Sequence, residues 1–317
     1  MTHVSVVGTP VQPGTTAVEH DSTPRSGAGM AALAGAAAMA CVGGSVAVSS
    51  VLVGAPLFTA QAVRYAVACL LLLVFARAFG RRLALPRGAE WLWLLGVAGC
   101  GLVVFNIALV RGSTHAEPAV LGVAVACVPL LLAAIGPLLE GRRPKSAVLA
   151  AAAVVTCGAA LVQGTGRCDA TGLAWAAVVL ACEAGFTLLA VPVLRRHGPW
   201  GVSTHTTWLA AAVFAVLGVL DEGPSAVTEL RVADGLAVGY LAVAVTALAF
   251  VLWYTSVHRL GASRAGLLTG VAPVAAAAVG VALGGPAPRP AVWLGVAVVA
   301  AGLALGLGAR RARAQPG

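Results

Sequence analysis

Ten stretches of the chain are almost wholly apolar, and the polar residues collect between them. They run approximately over residues 30–53, 57–79, 91–110, 116–139, 147–162, 172–193, 202–220, 236–257, 265–283 and 291–307. A helix needs about 20 apolar residues, within a range of roughly 17–25, to cross the hydrocarbon core of a bilayer. The fifth and seventh stretches are short or polar-flanked. Only Gly54-Ala55-Pro56 separates the first two, with Pro56 placed to start the second helix. The pattern predicts an all-α integral membrane protein with ten transmembrane helices.

Part of this pattern is written twice. Shifted by 144 residues, Gly122, Pro129, Gly136, Gly141, Pro144 and Gly158 fall on Gly266, Pro273, Gly280, Gly285, Pro288 and Gly302. The two copies lie on the fourth and fifth and on the ninth and tenth stretches. Spans five apart cross a membrane in opposite directions, so the repeat predicts two inverted-topology five-helix repeats. Their expected limits are residues 30–163 and 171–309. A disordered cytoplasmic tail at 1–29 and a basic cytoplasmic tail at 310–317 flank them. Inverted repeats place a substrate site near the midplane between the halves, and rocking of one half on the other gives alternating access.

Charge sets the expected orientation. With the N-terminus inside, Arg25, Arg77, Arg81, Arg82, Arg87, Arg142, Arg143, Lys145, Arg195, Arg196, Arg259, Arg264, Arg310, Arg311 and Arg313 are cytoplasmic. Only Arg111, Arg167, Arg231 and Arg289 are external. This is the positive-inside bias at every turn, and it puts both termini in the cytoplasm. It accounts for the net charge of +9 without a nucleic-acid partner. Charged residues are 10% of the chain, against about 25% in soluble domains. The Ala- and Gly-rich composition fits a high-GC bacterial genome, and the membrane expected is the bacterial plasma membrane. Seven scattered cysteines with no CxxC pair indicate neither a zinc site nor a disulfide framework.

Glu183 is the sharpest candidate for chemistry. It lies about eleven residues into the sixth stretch, roughly 16 Å deep at the helical rise. A carboxylate there is costly and faces the bundle interior or a water-filled cavity. It could carry a proton, as a proton-coupled transporter requires, or hydrogen-bond a neighbouring helix. Arg64, in the second stretch, could pair with Glu183, attract an anionic group of a substrate, or snorkel to the interface. Glu117, before Pro118, suits the positive end of a helix or a proton-entry role, and His115 beside it reads as a loop residue. Asn106, Trp208, Tyr240, Thr246 and Tyr254 are candidates for lining a substrate cavity, or alternatively for joining helices or anchoring at interfaces. Pro129 and Pro273 are hinge candidates, or simple packing kinks.

The run Trp253-Tyr254-Thr255-Ser256-Val257-His258-Arg259-Leu260-Gly261-Ala262-Ser263, followed by Pro273, a Gly-Gly-Pro turn and a Gly-rich last helix, resembles the EamA domain of the drug/metabolite transporter superfamily. Ala108-Leu109-Val110-Arg111 with Pro129 is a weaker version in the first half. Arg64-Tyr65 resembles the family's basic-aromatic pair. At the turn after the fourth stretch the chain reads Glu140-Gly141, the reverse of the usual order. The resemblance covers nearly all of residues 30–309. It implies a ten-helix bundle that exports or exchanges small metabolites or drugs.

The function expected is secondary active transport of a small molecule, amino acids or related compounds among them, with protons as the coupling ion if Glu183 carries them. The expected partners are that substrate and the lipid bilayer, with no cofactor and no metal. An intramembrane enzyme is the alternative from another class, but no HExxH, no GxSxG and no paired intramembrane aspartates occur. A non-transporting membrane assembly protein is the third reading.

Overall fold

The computed structural model of the protein describes residues 25–285 and 287–308. The expected tails therefore lie outside the described residues at 1–24 and 309–317. Among the described residues, ten helices are long and apolar enough to cross a bilayer. Among the described residues there is no strand, only one isolated bridge between Ala116 and Cys168. The helices are α1 (Arg25–Ser49), α2 (Leu57–Ala78), α3 (Glu90–Gly112), α4 (Pro118–Leu139), α5 (Ser146–Gln163), α6 (Ala170–Leu188), α7 (Val191–Glu222), α8 (Val232–Leu260), α9 (Ala262–Ala282) and α10 (Pro290–Gly308). Residues 25–29, assigned to the tail from sequence, belong to α1. No proline follows Pro24 in this stretch, so nothing there stops the helix.

Pro56 caps α2 as expected, at φ −61 and ψ 111. The N–H groups behind it need acceptors, and these come from a distant residue. Glu222, at the end of α7, accepts from Phe58 N and Thr59 N at 2.8 Å each and from Thr59 Oγ1 at 2.7 Å. A carboxylate suits the positive end of α2. It ties the tight α1–α2 turn to α7.

The α6–α7 boundary differs from the sequence reading. α6 ends at Leu188 and the chain turns helical again at Val191, so Arg195 and Arg196 sit on the first turns of α7. Gly198 then breaks the helix at φ 62 and ψ 177, a conformation open to glycine alone.

Helices pair across the two halves: α5 with α10, α4 with α9, α2 with α7, α1 with α8 and α3 with α6. Exchanging α1–α5 with α6–α10 leaves this set unchanged. The backbone irregularities repeat as well. π-helical turns occupy Val97–Val104 in α3 and Leu241–Leu248 in α8, again 144 residues apart. α4 is interrupted at Cys127, and α9 tightens into a 3-10 turn at Leu268–Gly270. Pro129 and Pro273 sit in the first turn after these interruptions, where a missing N–H costs least.

α5 and α10 meet backbone to backbone. A Cβ on Gly158 would lie 2.7 Å from Val299 N, and one on Gly295 would lie 2.7 Å from Gly158 O. Small residues permit such an approach inside a membrane, where packing rather than the hydrophobic effect drives association. Gly158→Val is expected to force the pair apart at a cost of about 1–3 kcal/mol. The measurement is the melting temperature of the detergent-solubilised protein; no decrease would mean that the α5–α10 contact contributes nothing to stability.

Candidate functional site

A cavity of 110 Å³ lies among α1, α2, α3, α6 and α8. Its lining is Met39, Val42, Arg64, Tyr65, Gly101, Phe105, Asn106, Glu183, Phe186, Val245, Ala249, Phe250 and Trp253. Ten of these residues form five pairs at the repeat offset of 144: Met39 with Glu183, Val42 with Phe186, Gly101 with Val245, Phe105 with Ala249, and Asn106 with Phe250. The cavity therefore sits where equivalent surfaces of the two halves face one another. Polar chemistry breaks the equivalence. Glu183 stands where the other half has Met39, and Asn106 where it has Phe250.

Glu183 is thirteen residues beyond the first residue of α6, roughly 20 Å along the helix axis. The helix starts earlier than expected because Asp169 caps it, accepting from Gly172 N at 2.7 Å. Arg64 enters from α2. It donates Nε to Thr246 Oγ1 at 2.9 Å and Nη1 to Gln61 Oε1 at 3.3 Å, and its guanidinium carbon lies 5.1 Å from the Tyr65 ring centroid. Arg64 and Glu183 line one cavity, yet among the described residues no ion pair joins them. Asn106 donates Nδ2 to Tyr65 Oη at 3.0 Å and to Leu102 O at 2.6 Å. Both amide hydrogens are thereby used, and Oδ1 remains as its acceptor. Phe105, Phe186, Phe250 and Trp253 supply aromatic wall.

The other expected residues lie elsewhere. Thr246 is buried behind Arg64 and holds it. Tyr254 is fully buried, donating its hydroxyl to Phe186 O at 3.1 Å, and packs behind the wall rather than in it. Trp208 is 38% exposed, donates to His205 Nδ1 at 3.3 Å and meets Trp91 edge-on. Tyr240 is 39% exposed. Neither Trp208 nor Tyr240 lines the cavity. The 144-residue offset, applied to Glu183 and Asn106, would have added Met39 and Phe250; Phe105 and Phe186 carried no such signal.

Glu117 is also outside the cavity. Its backbone caps α4, but its side chain makes no capping bond. Instead it accepts from Arg167 Nε at 2.9 Å, and that guanidinium holds its carboxyl below the usual range. His115 Nδ1 lies 2.9 Å from Asp169 Oδ2 in the same cluster. These contacts clasp the α3–α4 loop to the α5–α6 loop around an open hollow of 540 Å³. That hollow is larger than the cavity, but it lies on loops beyond the spans, with exposed walls. At the opposite ends of the helices, Glu90 accepts from Arg196 Nη1 at 2.6 and 2.7 Å and from Arg87 N at 2.8 Å, with His197 Nε2 at 3.1 Å. This second clasp joins the start of α3 to the start of α7.

The loop clasp has a pH signature. Gly172 N–H first, and His115 second, hold the Asp169 carboxyl below its usual range. A depressed carboxylate contributes stability above its unfolded pKa of about 3.9, and loses it as pH falls through the lower folded value. Asp169→Asn is expected to lower the melting temperature at neutral and mildly acidic pH, with the difference from the parent shrinking below about pH 4 and vanishing once the pH is under the lower folded value. Melting curves across pH test this; a difference undiminished in acid would assign the loss to something other than charge.

A ten-span bundle whose two repeats face each other around a small charged and aromatic cavity defines the class: a multi-pass membrane transporter. The profile described as "EamA-like transporter family" matches residues 29–163 and 170–307, and the chain belongs to that family. It is 29% identical over 261 residues to a "Probable terminal-alkyne amino-acid exporter" of Streptantibioticus cattleyicolor, covering 80% of this chain and 86% of the relative. It is 27% identical over 249 residues to the "Uncharacterized transporter YetK" of Bacillus subtilis (strain 168), covering 76% of each. A solved protein crystal structure shares the fold at a TM-score of 0.75 and 23% identity, over 90% of this chain and 99% of that one.

Proposed function

We propose that the protein exports compact zwitterions with an apolar side chain, amino acids foremost, across the bacterial plasma membrane. The observation that carries this reading is Arg64 and Glu183 on the walls of one cavity with no ion pair between them. A zwitterion supplies the missing partner of each. Its carboxylate meets the Arg64 guanidinium, in a charge-assisted pairing. Its ammonium meets the Glu183 carboxylate and Asn106 Oδ1. Its side chain lies against Phe105, Phe186, Phe250 and Trp253. The volume of 110 Å³ is below the roughly 300–1,000 Å³ of pockets for drug-sized ligands, which favours a compact metabolite. The relative described as an amino-acid exporter points the same way.

Two inverted five-helix halves, at residues 30–163 and 171–309, rock about the cavity in this reading. Both termini are cytoplasmic, on the strength of the charge bias between loops. Pro129 and Pro273, next to the matched interruptions of α4 and α9, give each half a hinge. Glu183 holds either the substrate ammonium or a proton, and that exclusion couples proton entry to export. The test is uptake by everted vesicles of a panel of amino acids, their amides, nucleosides and cationic drugs, with and without a proton gradient. Gradient-dependent uptake of apolar amino acids is expected. Movement of drugs or nucleosides alone would overturn the substrate reading, and movement of nothing would overturn transport by these residues altogether.

A further inference from the structure

A carbonyl of each π-helical turn accepts from a side chain that also reaches α2. In α3, Asn106 binds Leu102 O at 2.6 Å and the Tyr65 hydroxyl at 3.0 Å. In α8, Thr246 donates to Leu241 O at 3.0 Å and receives Arg64 Nε at 2.9 Å. Arg64 and Tyr65 are neighbours on α2, so one short piece of α2 is tied to a π turn in each repeat.

The Thr246 bond is specific to the winding of α8. A threonine in an α-helix returns its hydroxyl to the carbonyl three or four residues back, as Thr255 does to Val251 at 2.6 Å and Thr207 to Ser203 at 2.9 Å. Thr246 reaches back five, to Leu241. That is the π period, and it is lost if the turn rewinds to α. A hydroxyl has one proton. Since it goes to Leu241, the oxygen can only accept from Arg64.

We infer that Thr246 is a positioning residue for the substrate's carboxylate: it sets the guanidinium of Arg64 in the cavity while α8 keeps its π turn, so the winding of α8 controls affinity for acids. Rewinding of that turn turns the hydroxyl to another carbonyl and releases Arg64 from its pose. The cavity then holds carboxylates tightly in one state of the bundle and weakly in the other, as export requires. Just past the equivalent π turn of α3, Asn106 bonds the Leu102 carbonyl of that turn and donates to the Tyr65 hydroxyl, holding the ring beside Arg64.

This inference rests on the reading of Arg64 as the carboxylate site, and the experiment separates the two. The measurements are KM and Vmax in proteoliposomes for leucine and leucinamide, or for whichever apolar amino acid and amide the panel moves fastest. Thr246→Val removes the hydroxyl at nearly constant shape. It is expected to raise KM for the acid about tenfold, the loss of one hydrogen bond to a charged group, with little change for the amide. Thr246→Ser should restore the parent preference. Thr246→Ala carries the same expectation as Thr246→Val and serves if the valine variant does not fold. An equal rise in KM for acid and amide, or a fall in Vmax alone, would show a merely structural role and overturn the inference. So would an Arg64→Gln variant that loses the acid preference while Thr246→Val keeps it; in that case the carboxylate reading itself stands. If Arg64→Gln keeps the acid preference, both fall together.

Discussion

Glu183→Gln leaves the protein unable to accumulate substrate against its gradient when a proton gradient is imposed. The glutamine keeps the size and hydrogen-bonding reach of the side chain and removes its titration. One pH unit across the membrane is worth about 1.4 kcal/mol, or tenfold in accumulation for one-for-one exchange. The parent protein should approach that ratio, whereas the variant should only equilibrate substrate. A second signature follows from competition between the substrate ammonium and a proton for one carboxylate. In the parent, KM rises as pH falls, because a protonated Glu183 no longer attracts an ammonium. In Glu183→Gln, KM is high and flat with pH. Substrate accumulation by the variant at the parent's ratio would remove the proton role. A flat KM profile in the parent would remove the competition.

Arg64→Gln is expected to cost about a hundredfold or more in KM for acids, within the range seen when one partner of a desolvated charge pair is truncated. The reason lies in what surrounds the guanidinium. Gln61 and Thr246 take two of its edges, and Tyr65 lies beneath it. Among the described residues, no carboxylate forms an ion pair with it in the cavity. A substrate carboxylate is its missing counter-charge, and loss of the cation leaves that carboxylate buried without one. Arg64→Lys keeps the charge but cannot span Thr246 and Gln61 at once, since a lysine presents a compact ammonium and not a planar fork. It should recover only part of the affinity. The amide of the same amino acid should lose little with either variant. Equal losses for acid and amide would place Arg64 in packing rather than recognition.

The sequence reading and the structure agree on some elements and part on others for physical reasons. Helices α2 and α4 end where apolar runs meet turn residues, and Pro56 caps α2 as its position implied. The boundary of α6 and α7 shifted because Arg195 and Arg196 look like loop residues by charge, while the helix resumes before them and breaks only at Gly198. Glu183 and Arg64 were visible because ionisable groups inside apolar runs are rare. Whether they pair was not visible. Trp208 and Tyr240 looked equal to Asn106 as cavity residues, since composition does not say which side of a helix faces inward. Glu117 was placed correctly at the start of α4, but its partner Arg167 belongs to a different loop.

By itself the sequence determined the number of spans, the duplication of the Gly-Pro framework and the residues whose charge makes them costly in a membrane. Each of these depends on hydrophobicity and spacing along one dimension. Only the tertiary structure decided that Arg64 and Glu183 share a cavity without joining, that matched π turns flank it, and that Thr246 holds Arg64 from behind. These depend on the rotation of each helix and on hydrogen bonds between residues as far apart as 64 and 246. Apolar helices with little amphipathic character do not encode that rotation in any local pattern.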